Sequence, residues 1–175
     1  MIDNILIIYH LNYKDMSKIN DWLYLGSKKD AANVEWLAMN GITNVLNVAA
    51  ELNDMTYPSH IDVMKIPLLD TPDEKIGELL DTGYSYLCLV RDSPKKKKVL
   101  VHCMAGISRS PTFVLYYLMK EQKIVLSAAY IYLKHCREQI SPNSGFLTVL
   151  YKKQHELEIT DTNLFVEEKR GCSIQ

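Results

Sequence analysis

Residues 99–111 read Val-Leu-Val-His-Cys-Met-Ala-Gly-Ile-Ser-Arg-Ser-Pro, and no other stretch constrains the chain as tightly. Val99, Leu100 and Val101 form a short, apolar, mostly β-branched run, the pattern of a buried strand. Ser110 followed by Pro111 predicts a helix start, with serine as N-cap and proline at the first helical position. A strand, a tight loop and a helix N-terminus in succession make an anion site, because loop N–H groups converge and the helix dipole adds positive potential. Cys103 opens this loop and Arg109 closes it. A thiolate is the reactive form of cysteine, and a helix N-terminus beside an arginine lowers a thiol pKa from about 8.5 into the range ~3.5–7.5. The planar arginine fork can grip two oxygens of a phosphate or sulfate. Gly106 permits a backbone conformation that a Cβ would hinder. The chemistry that fits is attack by the Cys103 sulfur on a bound phosphoryl group, giving a phosphocysteine. The competing reading is a buried cysteine in an α/β turn with a surface arginine.

The string His102-Cys103-x-x-Gly106-x-x-Arg109-Ser110 resembles the signature of the cysteine-dependent protein tyrosine phosphatases. Extended through Pro111, it is similar to the dual-specificity branch, and the small size resembles an atypical dual-specificity phosphatase. The resemblance spans about 19–157. It implies a phosphate-binding loop of Met104, Ala105, Gly106, Ile107, Ser108 and Arg109, whose N–H groups surround the phosphoryl oxygens. It also implies that the Ser110 hydroxyl bonds the sulfur, beside its reading as an N-cap. His102 precedes the nucleophile on a buried strand and points away from the pocket; the resemblance gives it a supporting role, fixing the loop by hydrogen bonding. A leaving alkoxide or phenolate needs a proton from elsewhere. Asp70 is the candidate acid, because it lies at a strand's C-terminal end, where such ends gather around one crevice. The run Ile66-Pro67-Leu68-Leu69-Asp70 also matches the family's acid segment. Asp73 is the runner-up acid and reads rather as a helix N-cap.

Composition narrows the function further. With 47% hydrophobic and 23% charged residues over 175 positions, the chain suits one ordinary globular domain. A net charge of −1 gives no general affinity for nucleic acid or an anionic membrane. Cys88, Cys103, Cys136 and Cys172 are scattered without metal-ligand spacing, so no metal or other cofactor is expected. The apolar run 5–8 is too short to span a bilayer and lacks the basic region of a signal peptide. A catalytic thiol implies a reducing compartment, so a cytoplasmic protein, with the nucleus as a second location, is expected. Met104, Ala105, Ile107 and Ser108 carry no positive charge, and the resemblance implies lysines at these loop positions in relatives acting on phosphoinositides, so phosphoproteins are favoured. The expected substrates are phosphoproteins carrying phosphotyrosine and phosphoserine or phosphothreonine, with a protein kinase as one candidate. The alternatives are a phosphoprotein-binding pseudophosphatase and a phosphatase of RNA ends, glycans or phosphoinositides. Oligomeric state stays open.

Along the chain, 1–18 reads as an N-terminal extension, 19–157 as the catalytic domain and 158–175 as a polar, aperiodic tail that frays. Edge strands are predicted within 19–26, a helix over 31–39 capped by Asp30, and strands over 42–48 and 61–68. A helix follows over 76–90, with Cys88 near its buried face as a conceivable redox partner of Cys103. Lys95, Lys96, Lys97 and Lys98 read as a solvated loop, or alternatively a basic docking patch. Helices are then predicted over 111–122, 127–138 and 145–157. The fold class is α/β, a central mixed sheet of four or five strands with helices on both faces.

Overall fold

The computed structural model describes residues 17–160. Expectations for 1–16 and 161–175, Cys172 among them, lie outside the described residues. In chain order the strands and helices are β1 (Ser17–Lys18), β2 (Leu23–Gly26), α1 (Lys28–Ala32), α2 (Val34–Met39), β3 (Asn44–Asn47), β4 (Asp62–Lys65), α3 (Leu80–Arg91), β5 (Val99–His102), α4 (Arg109–Gln122), α5 (Leu126–Cys136) and α6 (Ser144–Glu156). Single 3₁₀ turns occupy Ala50–Leu52 and Ile76–Glu78.

The five strands form one sheet in the order β1-β2-β5-β3-β4. All pairings are parallel except that of β1 with β2. Residues alternate between the two faces of the strands, and the core divides accordingly. Leu23, Leu25, Leu46, Val99 and Val101 pack against the face covered by α3 to α6, with Leu80, Leu87, Phe113 and Phe146. Tyr24, Val45 and Leu100 face the other way, onto Ala31 of α1 and Leu37 of α2. Helices therefore cover both faces. The central strand β5 is wholly buried, as its uninterrupted apolar run requires.

Parallel pairing also aligns the strand ends. Gly26 and Asn47 both stand opposite His102, and Lys65 stands opposite Asn47. The segments that follow β2, β3, β4 and β5 consequently all leave from one edge of the sheet. No helix among the described residues is long and apolar enough to cross a membrane.

Several local expectations need correction. Strand β2 is interior, since β5 covers one side and β1 the other. The helix predicted over 31–39 is two short helices. Asn33 interrupts it, because its side chain accepts the Trp36 N–H at 3.0 Å and so caps α2. Asp30 is no N-cap; its carboxylate accepts the Ser27 N–H at 2.6 Å and hydroxyl at 2.8 Å in a capping box. The segment before α3 is a separate 3₁₀ turn with Lys75 at its cap, so Asp73 caps nothing and is exposed. Helix α4 begins at Arg109 with Ser108 at the N-cap, two positions earlier than expected. Pro111 is still in the first turn, where its missing N–H costs no intrahelical bond. The lysine run is partly tied down: Lys97 pairs with Asp62 at 3.0 Å, and the Lys98 ammonium donates to the Asn40 carbonyl at 2.9 Å.

Helix α3 lies against α4 at Gly83, where an added Cβ would sit 2.4 Å from Phe113 Cδ1. Phe113 is only 1% exposed, so its ring has no free space to enter. Gly83→Ala gains roughly 1 kcal/mol of helix propensity yet should lose about 1–3 kcal/mol to overpacking. Chemical denaturation should show a net loss, and a more stable variant would contradict the close approach.

Candidate active site

The loop between β5 and α4 is shaped by what its carbonyl groups meet. Met104 O accepts the Lys28 N–H at 3.0 Å, Ile107 O the Ser141 N–H at 2.7 Å, and Ser108 O the Thr112 N–H at 3.1 Å. Between them, Arg137 donates from Nε to Gly106 O at 2.9 Å and from Nη2 to Ala105 O at 3.2 Å. Five successive carbonyls, 104 to 108, thus turn outward onto protein donors. In a planar trans peptide the next N–H points opposite to the C=O. The N–H groups of Ala105 to Arg109 are therefore directed to the inner side of the loop, the cradle an anion needs. Gly106 makes the turn possible, with φ at +68°. A Cβ there would stand 2.5 Å from Gly26 O and 2.8 Å from the Arg137 guanidinium.

The Cys103 sulfur lies at the base of this cradle, 1% exposed. It accepts the Gly106 N–H at 3.3 Å and the Ser110 hydroxyl at 3.2 Å. Ser110 is thus bonded to the sulfur and does not cap the helix.

Arg109 is 4% exposed. Its Nη1 and Nη2 donate to Glu51 Oε2 and Oε1, each at 2.6 Å, and Nη1 also donates to Leu68 O at 3.0 Å. Those bonds hold the Glu51 carboxyl below its ordinary range and, against the desolvation cost, keep Arg109 charged. A guanidinium carries five N–H groups. Three are engaged, leaving the edge formed by Nε and the second Nη2 hydrogen. Nε is buried without a hydrogen-bond partner. Its nearest acidic neighbour, Asp70 Oδ2, is 3.4 Å away. A buried, unpaired N–H on a cation is costly and marks where a ligand oxygen belongs.

Asp70 stands over the loop. Its Oδ1 accepts the Ser108 hydroxyl at 2.6 Å and the Asn143 side-chain amide at 2.9 Å. Asp73 makes no such approach and is exposed in the turn that follows Asp70. His102 is fully buried on the far face of β5. A carbonyl can only accept, so His102 Nδ1–H donates to Cys103 O at 3.2 Å, and Nε2 accepts the Tyr57 hydroxyl at 2.7 Å. Burial depresses its pKa to about 4, so the ring is neutral. Cys88 is free and lies on α3 in a shallow groove with Tyr84, Leu89 and Pro94.

Nothing in the sequence by itself marked Glu51, Tyr57, Arg137 or Asn143 for the site. All four reach the site or its supports from distant parts of the chain. The one usable signal lay in Glu51 and Asp70: both follow strands that must end at the same sheet edge.

A family model described as dual specificity phosphatase, catalytic domain, matches residues 23–156. Human dual specificity protein phosphatase 5 is 38% identical over 140 residues, covering 80% of this chain. The chain spans only 36% of that protein's length. Dual specificity protein phosphatase 18 of Pongo abelii is 34% identical over 142 residues, covering 81% of this chain and 74% of that one. The crystal structure of a human tyrosine phosphatase-like serine/threonine/tyrosine-interacting protein superposes with a TM-score of 0.75 at 26% identity, covering 82% of this chain and 97% of the other.

Two measurements follow from this geometry. Glu51→Gln keeps the shape beside Arg109 but removes the charge that fixes the fork. Since small misplacements of a positioned group cost up to ~10²-fold, kcat/KM on an aryl phosphate should fall by about 10- to 10²-fold; an unchanged rate would show that Arg109 orients itself. His102 sets an acid limit on stability. Its ordinary pKa is 6.5 and its folded value about 4, so unfolding takes up a proton in that window, and stability falls as pH drops from 6.5 toward 4. The slope contributed is at most about 1.4 kcal/mol per pH unit. Equilibrium unfolding of His102→Gln should show a flatter curve there, and an identical slope would contradict a neutral buried ring.

Proposed function

The chain belongs to the dual specificity phosphatase family, and we propose that it hydrolyses phosphotyrosine and phosphoserine or phosphothreonine in proteins through a phosphocysteine. One observation carries the reading: a buried sulfur with two hydrogen-bond donors sits in a loop of inward N–H groups, beside an arginine with a free buried edge. The loop and Arg109 bind the phosphoryl oxygens, and Cys103 attacks phosphorus in line with the leaving oxygen. Asp70 gives its proton to that oxygen as the P–O bond breaks. In the second half-reaction Asp70 takes a proton from water as water attacks the phosphocysteine. The Ser110 hydroxyl then stabilises the departing thiolate.

Phosphoprotein substrates suit the surroundings of the loop. Met104 and Leu69, next to Cys103 and Asp70 in sequence, are exposed apolar side chains able to rest on a peptide. No cation stands at loop positions 104, 105, 107 or 108 to meet an inositol ring's further phosphates. Acting on such substrates, the enzyme reverses protein-kinase action, in a reducing compartment such as the cytoplasm or nucleus, where the thiol persists.

Peptides bearing phosphotyrosine and phosphothreonine should both be hydrolysed. Cys103→Ser should lose at least ~10²-fold in turnover while still binding tungstate or a phosphotyrosine peptide, because the cradle's N–H groups and Arg109 remain. Retention of more than about a hundredth of the rate would exclude covalent cysteine catalysis. Binding of phosphopeptide by the unmodified protein without turnover would mark it as a phosphoprotein-binding module instead.

A further inference from the structure

Two side chains from distant parts of the chain, Asn143 and Ser108, converge on Asp70. Asn143 is the N-cap of α6, and its Oδ1 accepts the Phe146 N–H at 3.0 Å. That bond fixes which way the amide faces, so Nδ2 points at Asp70 and donates to Oδ1 at 2.9 Å. The Asn143 backbone N–H donates to Ser108 Oγ at 3.1 Å. Ser108 Oγ has a single hydrogen, and it goes to the same Asp70 Oδ1 at 2.6 Å. The cap of α4 and the cap of α6 therefore aim two neutral donors at one carboxylate oxygen. Neither serine nor asparagine needs that carboxylate for its helix, because Ser108 caps α4 without any side-chain bond.

We propose that Asn143 and Ser108 are positioning residues for Asp70, reserving Oδ1 as a permanent acceptor and leaving Oδ2 as the atom that carries and delivers the proton. The inference rests on Asp70 being the general acid. A carboxyl group can rotate and exchange its two oxygens, and only one orientation presents its proton to the leaving group. With two hydrogens already directed at Oδ1, a third on the same atom would collide with them, so protonation falls on Oδ2. Oδ2 is the oxygen 3.4 Å from Arg109 Nε, on the side where the phosphoryl group binds. When Cys103 sulfur bonds to phosphorus, the P–O electron pair passes to the leaving oxygen, which takes the Oδ2 proton. The carboxylate that remains keeps both donors on Oδ1. The same two hydrogen bonds thus serve the acid form, the base form and the return of a proton from water. Asp70 needs such support, since its side chain is 34% exposed on a turn-rich loop.

The test compares a poor leaving group with a good one. Serine is a competent N-cap, so Asn143→Ser retains the start of α6 and removes only the amide donor. Its kcat/KM on a phosphothreonine peptide should fall at least about 10-fold, while that on 4-nitrophenyl phosphate, which needs little protonation, should stay within about 2-fold. Ser108→Ala should likewise lower kcat/KM on the phosphothreonine peptide. In an Asp70→Asn background, where there is no proton to position, Asn143→Ser should cost nothing further on the peptide. Equal losses on both substrates, full additivity with Asp70→Asn, or no loss on the peptide would each overturn the proposal. If Asp70→Asn itself lowers both substrates equally, the acid assignment has failed; if Asp70→Asn shows the split and Asn143→Ser does not, the positioning alone has failed.

Discussion

Everything at the active site depends on five carbonyl groups being satisfied from outside the loop. A tight turn of backbone around an anion leaves its C=O groups facing protein, and unpaired they would each cost about 1–3 kcal/mol. Here they are met from elsewhere: the first residue of α1, the guanidinium at the end of α5, the segment before α6 and the first turn of α4. The inward N–H groups are the other side of the same peptide planes. The site is thus preorganised before any ligand arrives, the condition under which fixed dipoles stabilise charge most effectively.

The charges above the loop follow a similar division of labour. Arg109 is too buried to be left unpaired, and Glu51 neutralises one edge of its fork while Leu68 O takes a further hydrogen. A symmetric clamp on both edges would block the ligand. The remaining edge, with its unpaired Nε, stays directed at the cradle, and Asp70 lies close to it without forming a hydrogen bond. An anion entering the cradle would meet a cation whose orientation is already set, so little conformational entropy would be lost on binding.

The core explains why this arrangement is stiff. Helix α4 is buried along residues 109–119, and β5 is buried on both faces. Cys103 and Arg109 stand at the adjoining ends of these two elements, so neither moves without displacing packed side chains. His102 extends the same rigidity to the opposite face, tying the Cys103 carbonyl to Tyr57.

The α/β class, the strand–loop–helix around Cys103 and Arg109, and Gly106 at the turn were all legible in the sequence. The reason is locality: an apolar run, a nucleophile, a glycine and a cation within a dozen residues restrict the backbone whatever surrounds them. The place of Asp70 beside the loop was legible through the end of its strand. The exact helix starts were not, because Ser108 and Ser110 flank Arg109 with equal propensity to cap, and the choice fell to what each hydroxyl could reach, Asp70 for one and the Cys103 sulfur for the other. Glu51, Arg137 and Asn143 were decided only by the tertiary structure. In sequence, Glu51 differs in no way from the neighbouring Asp54, and Arg137 reads as one more charge at a helix end. Parallel strand pairing sends the loop after β3 past Arg109, and the packing of α5 and α6 sends two further polar side chains onto the loop and Asp70. A polar side chain's partner is set by where distant chain segments meet, and that geometry exists only once the sheet has formed.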